Sequence, residues 1–258
     1  MNAFFMRKTI SDNKGAMPMA GAGKAAISYT KEPGTWIMFL AAFASGAAAG
    51  GPRTITVIIF VSLLLLLLIK SPAVDMLRSG RTDRLPELAV LALPGFAGLA
   101  YSVWLYRPLA LLYAAAAVLF ALNYHFEKGR KFSPVYAEAF GMAIMGDVAV
   151  ISASVAGGIG RHLYLWALFF LFYFASCFRV RYSGLKKYRT IGAVYSSALL
   201  LGSLAGAALG HPVLLVFLPL AEDVYSALKQ RKLKFKQLGL LSTVKTLVFC
   251  ALVVYLSR

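Results

Sequence analysis

Charged residues inside apolar segments are the part of this sequence that could do chemistry. Glu222 and Asp223 follow Pro219 by about one helical turn, and Lys245 lies about seven residues into the next apolar segment. Ionised groups are costly in hydrocarbon, so those that occur there bind ions, transfer protons or form fixed ion pairs. The similar depth of the three residues predicts that Lys245 pairs with Glu222 or Asp223. Whether this pair is structural or part of a binding site stays open at this stage.

A further carboxylate, Asp147, lies about 12 residues, or roughly 18 Å, into another apolar segment, which places it near the middle of a bilayer core. Glu138 lies on the same segment, about half a turn around the helix from Asp147. The two carboxylates are therefore predicted to face different neighbours. We expect Asp147 to contact protein or water, because exposure to lipid at this depth costs at least about 2.5 kcal/mol.

Other polar residues lie at the ends of apolar segments, on the side predicted to face the cytoplasm. With the buried charges they predict one polar cavity open to that side. A basic rim around an apolar interior suits an amphipathic anionic ligand, such as a lipid or a quinone-like compound. Anchoring of the chain at the membrane interface is the alternative explanation for Lys31 and Trp36, but such anchoring gives no benefit to Glu32. The predicted ligand-binding residues are Lys31, Glu32, Trp36, Asn123, Glu127, Glu138, Arg179, Glu222, Asp223 and Lys245.

Membrane-spanning helices must position these groups. The chain has 258 residues, is 60% hydrophobic and only 14% charged, and has a mean hydropathy of +0.72, whereas soluble domains are roughly one quarter charged. We predict an all-α transmembrane bundle of about nine spans, or eight if the first two form a hairpin that does not cross. The predicted spans are 35–51, 53–69, 86–105, 108–124, 135–157, 162–178, 191–209, 212–228 and 238–256. Residues 1–30 are predicted to be a mobile cytoplasmic tail, and 31–258 a single transmembrane domain.

The distribution of basic residues predicts the orientation. The N-terminal tail and every second loop hold 22 of the 27 Lys and Arg residues, whereas the opposite side holds four. Positive charge collects on the cytoplasmic side of a membrane. We therefore expect a multi-pass protein of the bacterial cytoplasmic (inner) membrane, with a cytoplasmic N-terminus and a periplasmic or extracellular C-terminus. The same scattered distribution argues against nucleic-acid binding, which needs basic residues on one face.

Small and sulfur-containing residues add packing predictions. Glycines recur every four residues at Gly46 and Gly50, and again at 202, 206 and 210, which favours close helix packing. Cys177 and Cys250 lie inside apolar segments and are predicted to be core residues. His162 and His211 are predicted to be outer-interface residues and not metal ligands, because no partners at ligand spacing accompany them. The sequence thus predicts no metal site and assigns no cofactor, and it names membrane lipids and an amphipathic small molecule as partners.

Three stretches resemble the YwiC-like membrane proteins. They are KEPGTW at 31–36, RPLALLYAAAAVLFALNYHFEKGRK from Arg107, and FFLFYFASCFRVRYSGLKK from Phe169. The first is the distinctive one, although Pro33 stands where the family usually has His, so no role of that His carries over. The resemblance implies a membrane topology more than a mechanism.

The predicted topology is also similar to that of UbiA-type prenyltransferases, which hold a prenyl diphosphate through magnesium bound by two Asp-rich motifs. Here the loop after the second span carries Asp75 and Asp83, whereas RVRYSGLKKYR after the sixth carries no carboxylate. Three functions therefore stay open. They are a binding protein for an amphipathic anion, a UbiA-type enzyme, and a transporter that uses Asp147 and the Lys245 pair to move a solute or a proton.

Overall fold

The computed structural model describes residues 33–79, 85–128, 134–184, 187–229 and 235–257. Within these ranges the chain is helical and has no strand, so the predicted all-α class is confirmed. The predicted tail at 1–30 lies outside the described residues. The helices are α1 (Pro33–Gly50), α2 (Thr54–Ser79), α3 (Leu85–Leu105), α4 (Leu109–Lys128), α5 (Pro134–Gly157), α6 (Ile159–Gly184), α7 (Lys187–Ala208), a 3₁₀ helix (Pro212–Leu220), α8 (Ala221–Leu228) and α9 (Phe235–Leu256).

Six of these helices are long and apolar enough to cross a membrane, namely α3, α4, α5, α6, α7 and α9. The chain is therefore a multi-pass membrane protein. Helices α1 and α2 contain shorter apolar stretches, Gly34–Gly50 and Thr54–Lys70. The predicted eighth span is built differently, as the 3₁₀ helix followed directly by α8. The count of nine spans is thus not confirmed and stays a prediction.

Helix α5 lies at the centre of the bundle and packs against α1, α4 and α6. Every residue from 145 to 155 is buried. The sequence of this stretch explains the position, because apolar and small residues surround the helix on all sides instead of forming one stripe. Asp147 is the charged residue in this stretch, so the centre of the bundle is where the chain places its midplane carboxylate.

Glycines bring α1 against α5. A Cβ atom at Gly46 would meet the Ala149 carbonyl oxygen and the Ser152 hydroxyl, and one at Gly50 would meet the backbone of Ala153. The predicted packing role of these two glycines is confirmed. In the second glycine series only the residue at 206 meets a neighbour, whereas those at 202 and 210 have nothing within 4 Å.

The contacts at Gly46 and Gly50 show that α1 and α5 run in the same direction. We call the end at which α1 and α5 begin the near end, and the end at which they finish the far end. The sequence predicts that the near end faces the cytoplasm. The connections at 51–53, 106–108, 158 and 209–211 lie at the far end.

Candidate functional site

The Lys245 cluster consists of Lys245, Asp223, Glu222 and Ser226. The Lys245 ammonium donates to Asp223 Oδ1 at 2.5 Å and lies 3.5 Å from Glu222 Oε2. Lys245 is 5% exposed and Asp223 is 2% exposed, so this ion pair is almost fully removed from solvent. The pairing predicted for Lys245 is confirmed. Its membership of a ligand site stays a prediction.

The change from 3₁₀ helix to α8 places the two carboxylates of this cluster. Pro219 lies near the end of the 3₁₀ helix, and α8 begins at Ala221. Glu222 and Asp223 occupy the first turn of α8, where the helix dipole favours negative charge. Ser226, one turn later, donates its hydroxyl to Glu222 Oε1. Ser226 is not among the residues predicted from the sequence, although its spacing of four residues from Glu222 is a signal for this contact.

Aromatic rings lie one turn along α9 from Lys245. Phe249 stacks on Phe172 of α6 with centroids 4.0 Å apart, and it meets Phe169 edge-on at 5.0 Å. Both Phe172 and Phe249 are fully buried. Cys250, beside Phe249, approaches the Ala41 carbonyl of α1 at 3.8 Å. Because consecutive segments from α5 to α9 reverse direction, Lys245 lies on the near-end side of these rings.

Asp147 is the second buried charged position. It is 4% exposed, which confirms that it faces protein and not lipid. Its Oδ2 atom is buried and has no hydrogen-bond partner among the described residues. Gly46, whose neighbours are Ala149 and Ser152, lies close to the level of Asp147 on the central helix. Asp147 therefore lies in the interior of the bundle, farther from the near end than Lys245.

Two further buried polar residues lie on the far-end side of Asp147. Ser154 is 7% exposed and His162 is 5% exposed. The Ser154 hydroxyl and both ring nitrogens of His162 are buried without a hydrogen-bond partner among the described residues. His162 is thus enclosed by protein, whereas His211 is exposed. The prediction that His162 is an interface residue did not include this burial, because the burial depends on how α6 packs against α5.

The other predicted site residues are distributed between α1, α4 and α5. The Asn123 side-chain amide donates to the Ala137 carbonyl at 2.5 Å and so joins α4 to α5. Trp36 is half-buried in the first turn of α1, and Glu138 is half-buried in the first turns of α5. Lys31 and Glu32 lie outside the described residues, as do the side chains of Glu127 and Arg179. The predicted meeting of the 31–36 segment with Asn123 or Glu127 therefore stays a prediction.

An open groove lies at the far end. It measures about 450 Å³ and is lined by Arg53, Tyr101, Tyr106 and apolar side chains of α2 and α3. The Arg53 guanidinium donates to the Tyr106 hydroxyl at 3.1 Å. This groove is at the opposite end from the polar cavity that the sequence predicts. Among the described residues no group of three or more His, Cys, Asp or Glu side chains could hold a metal ion.

Residues 30–153 match the YwiC-like protein family. Over this region the chain is similar to the YwiC-like proteins. The matched region includes the KEPGTW stretch, the second resembling stretch, which begins at Arg107, and Asp147. It ends just before Ser154. The third resembling stretch, from Phe169, lies beyond the match, as does the Lys245 cluster. No curated protein and no solved structure matches the chain, and none of these comparisons supports the resemblance to UbiA-type enzymes.

Proposed function

We propose that this YwiC-like membrane protein is a proton-coupled transporter of a small solute, with Asp147 as the residue that carries the proton. The observation that carries this proposal is the Asp147 carboxyl group. It is 4% exposed in the central helix, and its Oδ2 atom has no hydrogen-bond partner among the described residues. Ionisable groups in such positions are typical of proton relays in pumps and transporters.

The chemistry of a single carboxyl group favours a proton over a metal ion as its partner. A carboxylate in an apolar interior needs a positive charge to balance it. One carboxyl group holds a proton unaided, whereas sodium, calcium or magnesium needs several oxygen ligands. The balance at Asp147 is therefore made and removed by protonation. This alternation between charged and neutral states is what a coupled transporter uses to link ion and solute movement.

The Lys245 cluster supports the same proposal from the near end. Glu222 and Asp223 lie at the point where a 3₁₀ helix becomes α8. A stretch of 3₁₀ helix within a longer helical segment often marks a functional hinge. In this proposal the bond from Lys245 to Asp223 fixes this segment against α9, and the near-end polar residues admit the solute.

Charge movement in proteoliposomes tests the role of Asp147 without knowledge of the solute. Wild-type protein adsorbed on a solid-supported membrane receives a rapid pH jump, and binding of protons inside the bilayer gives a transient current. We expect Asp147→Asn to lose this current and Glu87→Gln, a matched change at the start of α3, to keep it. Equal currents in wild type and Asp147→Asn, or no current in wild type, would overturn the proposal.

Binding of an amphipathic anion at the near end is a second candidate, and the concentration of Lys and Arg in the alternate loops supports it. Vesicle flotation does not distinguish specific binding of an anion from the general attraction of basic cytoplasmic loops to a membrane surface. A soluble short-chain anionic lipid is therefore the better probe. In a variant with Trp104→Phe and Trp166→Phe, a saturable change in Trp36 fluorescence on addition of this lipid, with no response to a zwitterionic analogue, would support the candidate. An identical response to both lipids would argue against it.

The orientation belongs to the same proposal. We place the N-terminus in the bacterial cytoplasm and the C-terminus outside the inner membrane, as the charge distribution predicts. Reporter enzymes that are active on only one side of the membrane, fused at each terminus, test this. Two reporters active on the same side would contradict an odd number of spans.

A further inference from the structure

Two buried serines on α5 differ in how their hydroxyl groups are satisfied. Ser152 is 1% exposed and donates to the Ala149 carbonyl of its own helix at 3.0 Å. Ser154 is 7% exposed, and its hydroxyl has no partner among the described residues. Buried hydroxyl groups are in the large majority of cases paired with protein or with an ordered water. Ser154 therefore lies where a water molecule would complete its hydrogen bonding.

Helix geometry places Ser154 in line with Asp147. Seven residues separate them, which is close to two full turns, so both side chains leave α5 on the same face. Ser154 is roughly 10 Å closer to the far end than Asp147, at 1.5 Å per residue. The face that carries Asp147 thus carries a second buried polar group nearer the far end.

His162 lies on the side of α6 that packs against α5. A Cβ atom at Gly146 would lie 2.8 Å from the Trp166 carbonyl oxygen, which shows that Trp166 packs beside Gly146. His162 lies one turn before Trp166 on the same side of α6. Because α6 runs antiparallel to α5, this step leads toward the far end and places His162 at a level between Asp147 and Ser154.

We propose that Ser154 and His162 line a water-filled path that connects the far end of the bundle to Asp147. Buried waters bind where two to four polar groups are otherwise unsatisfied, and this stretch offers the Ser154 hydroxyl, two imidazole nitrogens and Asp147 Oδ2. An imidazole can accept a proton at one ring nitrogen and release another from the second. The path thus has the chemistry of a proton relay.

In each transfer along the path, one proton enters at the far end and one proton is delivered to Asp147. A hydronium ion at the far end passes a proton through the water at Ser154 to one nitrogen of His162, and the other nitrogen releases its own proton to a water chain that leads to Asp147. Asp147 Oδ2 accepts the proton from this chain, and His162 is left neutral as its other tautomer. Only O–H and N–H bonds form and break. The use of the path rests on the proposed transport function, whereas its water content does not.

Cysteine accessibility tests the path directly. In a background with Cys177→Ala and Cys250→Ala, Ser154→Cys is compared with Ser152→Cys, which serves as the matched buried control. Because thiol reactivity requires contact with water, we expect Ser154→Cys to react with a small methanethiosulfonate on the order of tenfold faster. Equal and slow labelling of both folded variants would overturn the path.

A measurement on the unsubstituted protein covers the case in which a cysteine variant fails to fold. Diethyl pyrocarbonate modifies imidazoles that meet water, and the exposed His211 is the positive control. We expect mass spectrometry to find His162 modified as well as His211. Modification of His211 with His162 left intact would overturn the path.

These results separate the path from the transport function. Water access at Ser154 without a pH-jump current would leave the path standing and remove the proposed transport. A current that depends on Asp147, together with an unreactive Ser154→Cys and an unmodified His162, would keep the transport function and remove the path.

Discussion

The Lys245 cluster and the Asp147 region are both buried and polar in an apolar bundle, but they balance their charges differently. In the Lys245 cluster an ammonium and a carboxylate meet at 2.5 Å. In the Asp147 region the Asp147, Ser154 and His162 side chains all have buried atoms without a hydrogen-bond partner among the described residues. A paired charge fixes helices against each other, whereas unpaired groups leave room for water or a proton. The proposed function accordingly gives the first region a structural role and the second the handling of the proton.

The largest expected effect comes from removing the cation of the paired region. Lys245→Met leaves the buried Asp223 carboxylate without its ammonium, so we expect a loss of about 3 to 5 kcal/mol in the free energy of unfolding. Reversible unfolding in detergent measures this loss. Combining Lys245→Met with Asp223→Leu should recover part of it, because the pair then becomes apolar. Stability of Lys245→Met equal to wild type would show that the pair does not hold the segment.

A smaller effect should follow from disturbing the packing that positions α5 and Asp147. Gly46→Ala places a methyl group against the Ala149 carbonyl and the Ser152 hydroxyl, and overpacking of this kind costs typically about 1 to 3 kcal/mol. Gly202→Ala is the control, since nothing lies within 4 Å of its Cβ position. The free energy of unfolding should therefore fall in Gly46→Ala and rise slightly in Gly202→Ala, because alanine favours the helix at 202. Equal behaviour would contradict the close approach of α1 and α5.

The smallest effect on stability is expected in the unpaired region. Asp147→Leu removes a buried carboxyl group whose Oδ2 has no partner among the described residues, so folding should be unchanged or improved, within about 1 kcal/mol. The pH-jump current should nevertheless disappear. Loss of folded protein in Asp147→Leu would instead assign Asp147 a structural hydrogen bond.

The sequence predicted the paired region better than the unpaired one, for a physical reason. Depth in an apolar segment is readable from residue number, and matching depths gave the Lys245 pairing with Glu222 or Asp223. The direction in which a side chain points can be predicted from the sequence only where one face of its helix is polar. Apart from Asp147, residues 145–155 are apolar or small on every side, so the sequence could not show what Ser154 faces.

Helix ends were predicted well, and helix type was not. The apolar segments and their boundaries agree with the structure within a few residues for most helices. Pro212 and Pro219 bracket the segment that forms a 3₁₀ helix, a geometry that hydropathy does not distinguish from an α-helix. The burial of His162 depends on how α5 and α6 pack, which needs the tertiary structure.

Infrared spectroscopy of the Asp147 carboxyl group tests most directly whether this residue holds a proton. A protonated carboxyl group in an apolar site gives a C=O stretching band that is distinct from the bands of a carboxylate. We predict such a band in wild-type protein, its loss in Asp147→Asn, and a shift of the band in D₂O as the proton exchanges. Identical spectra of wild type and Asp147→Asn in this region would contradict the account.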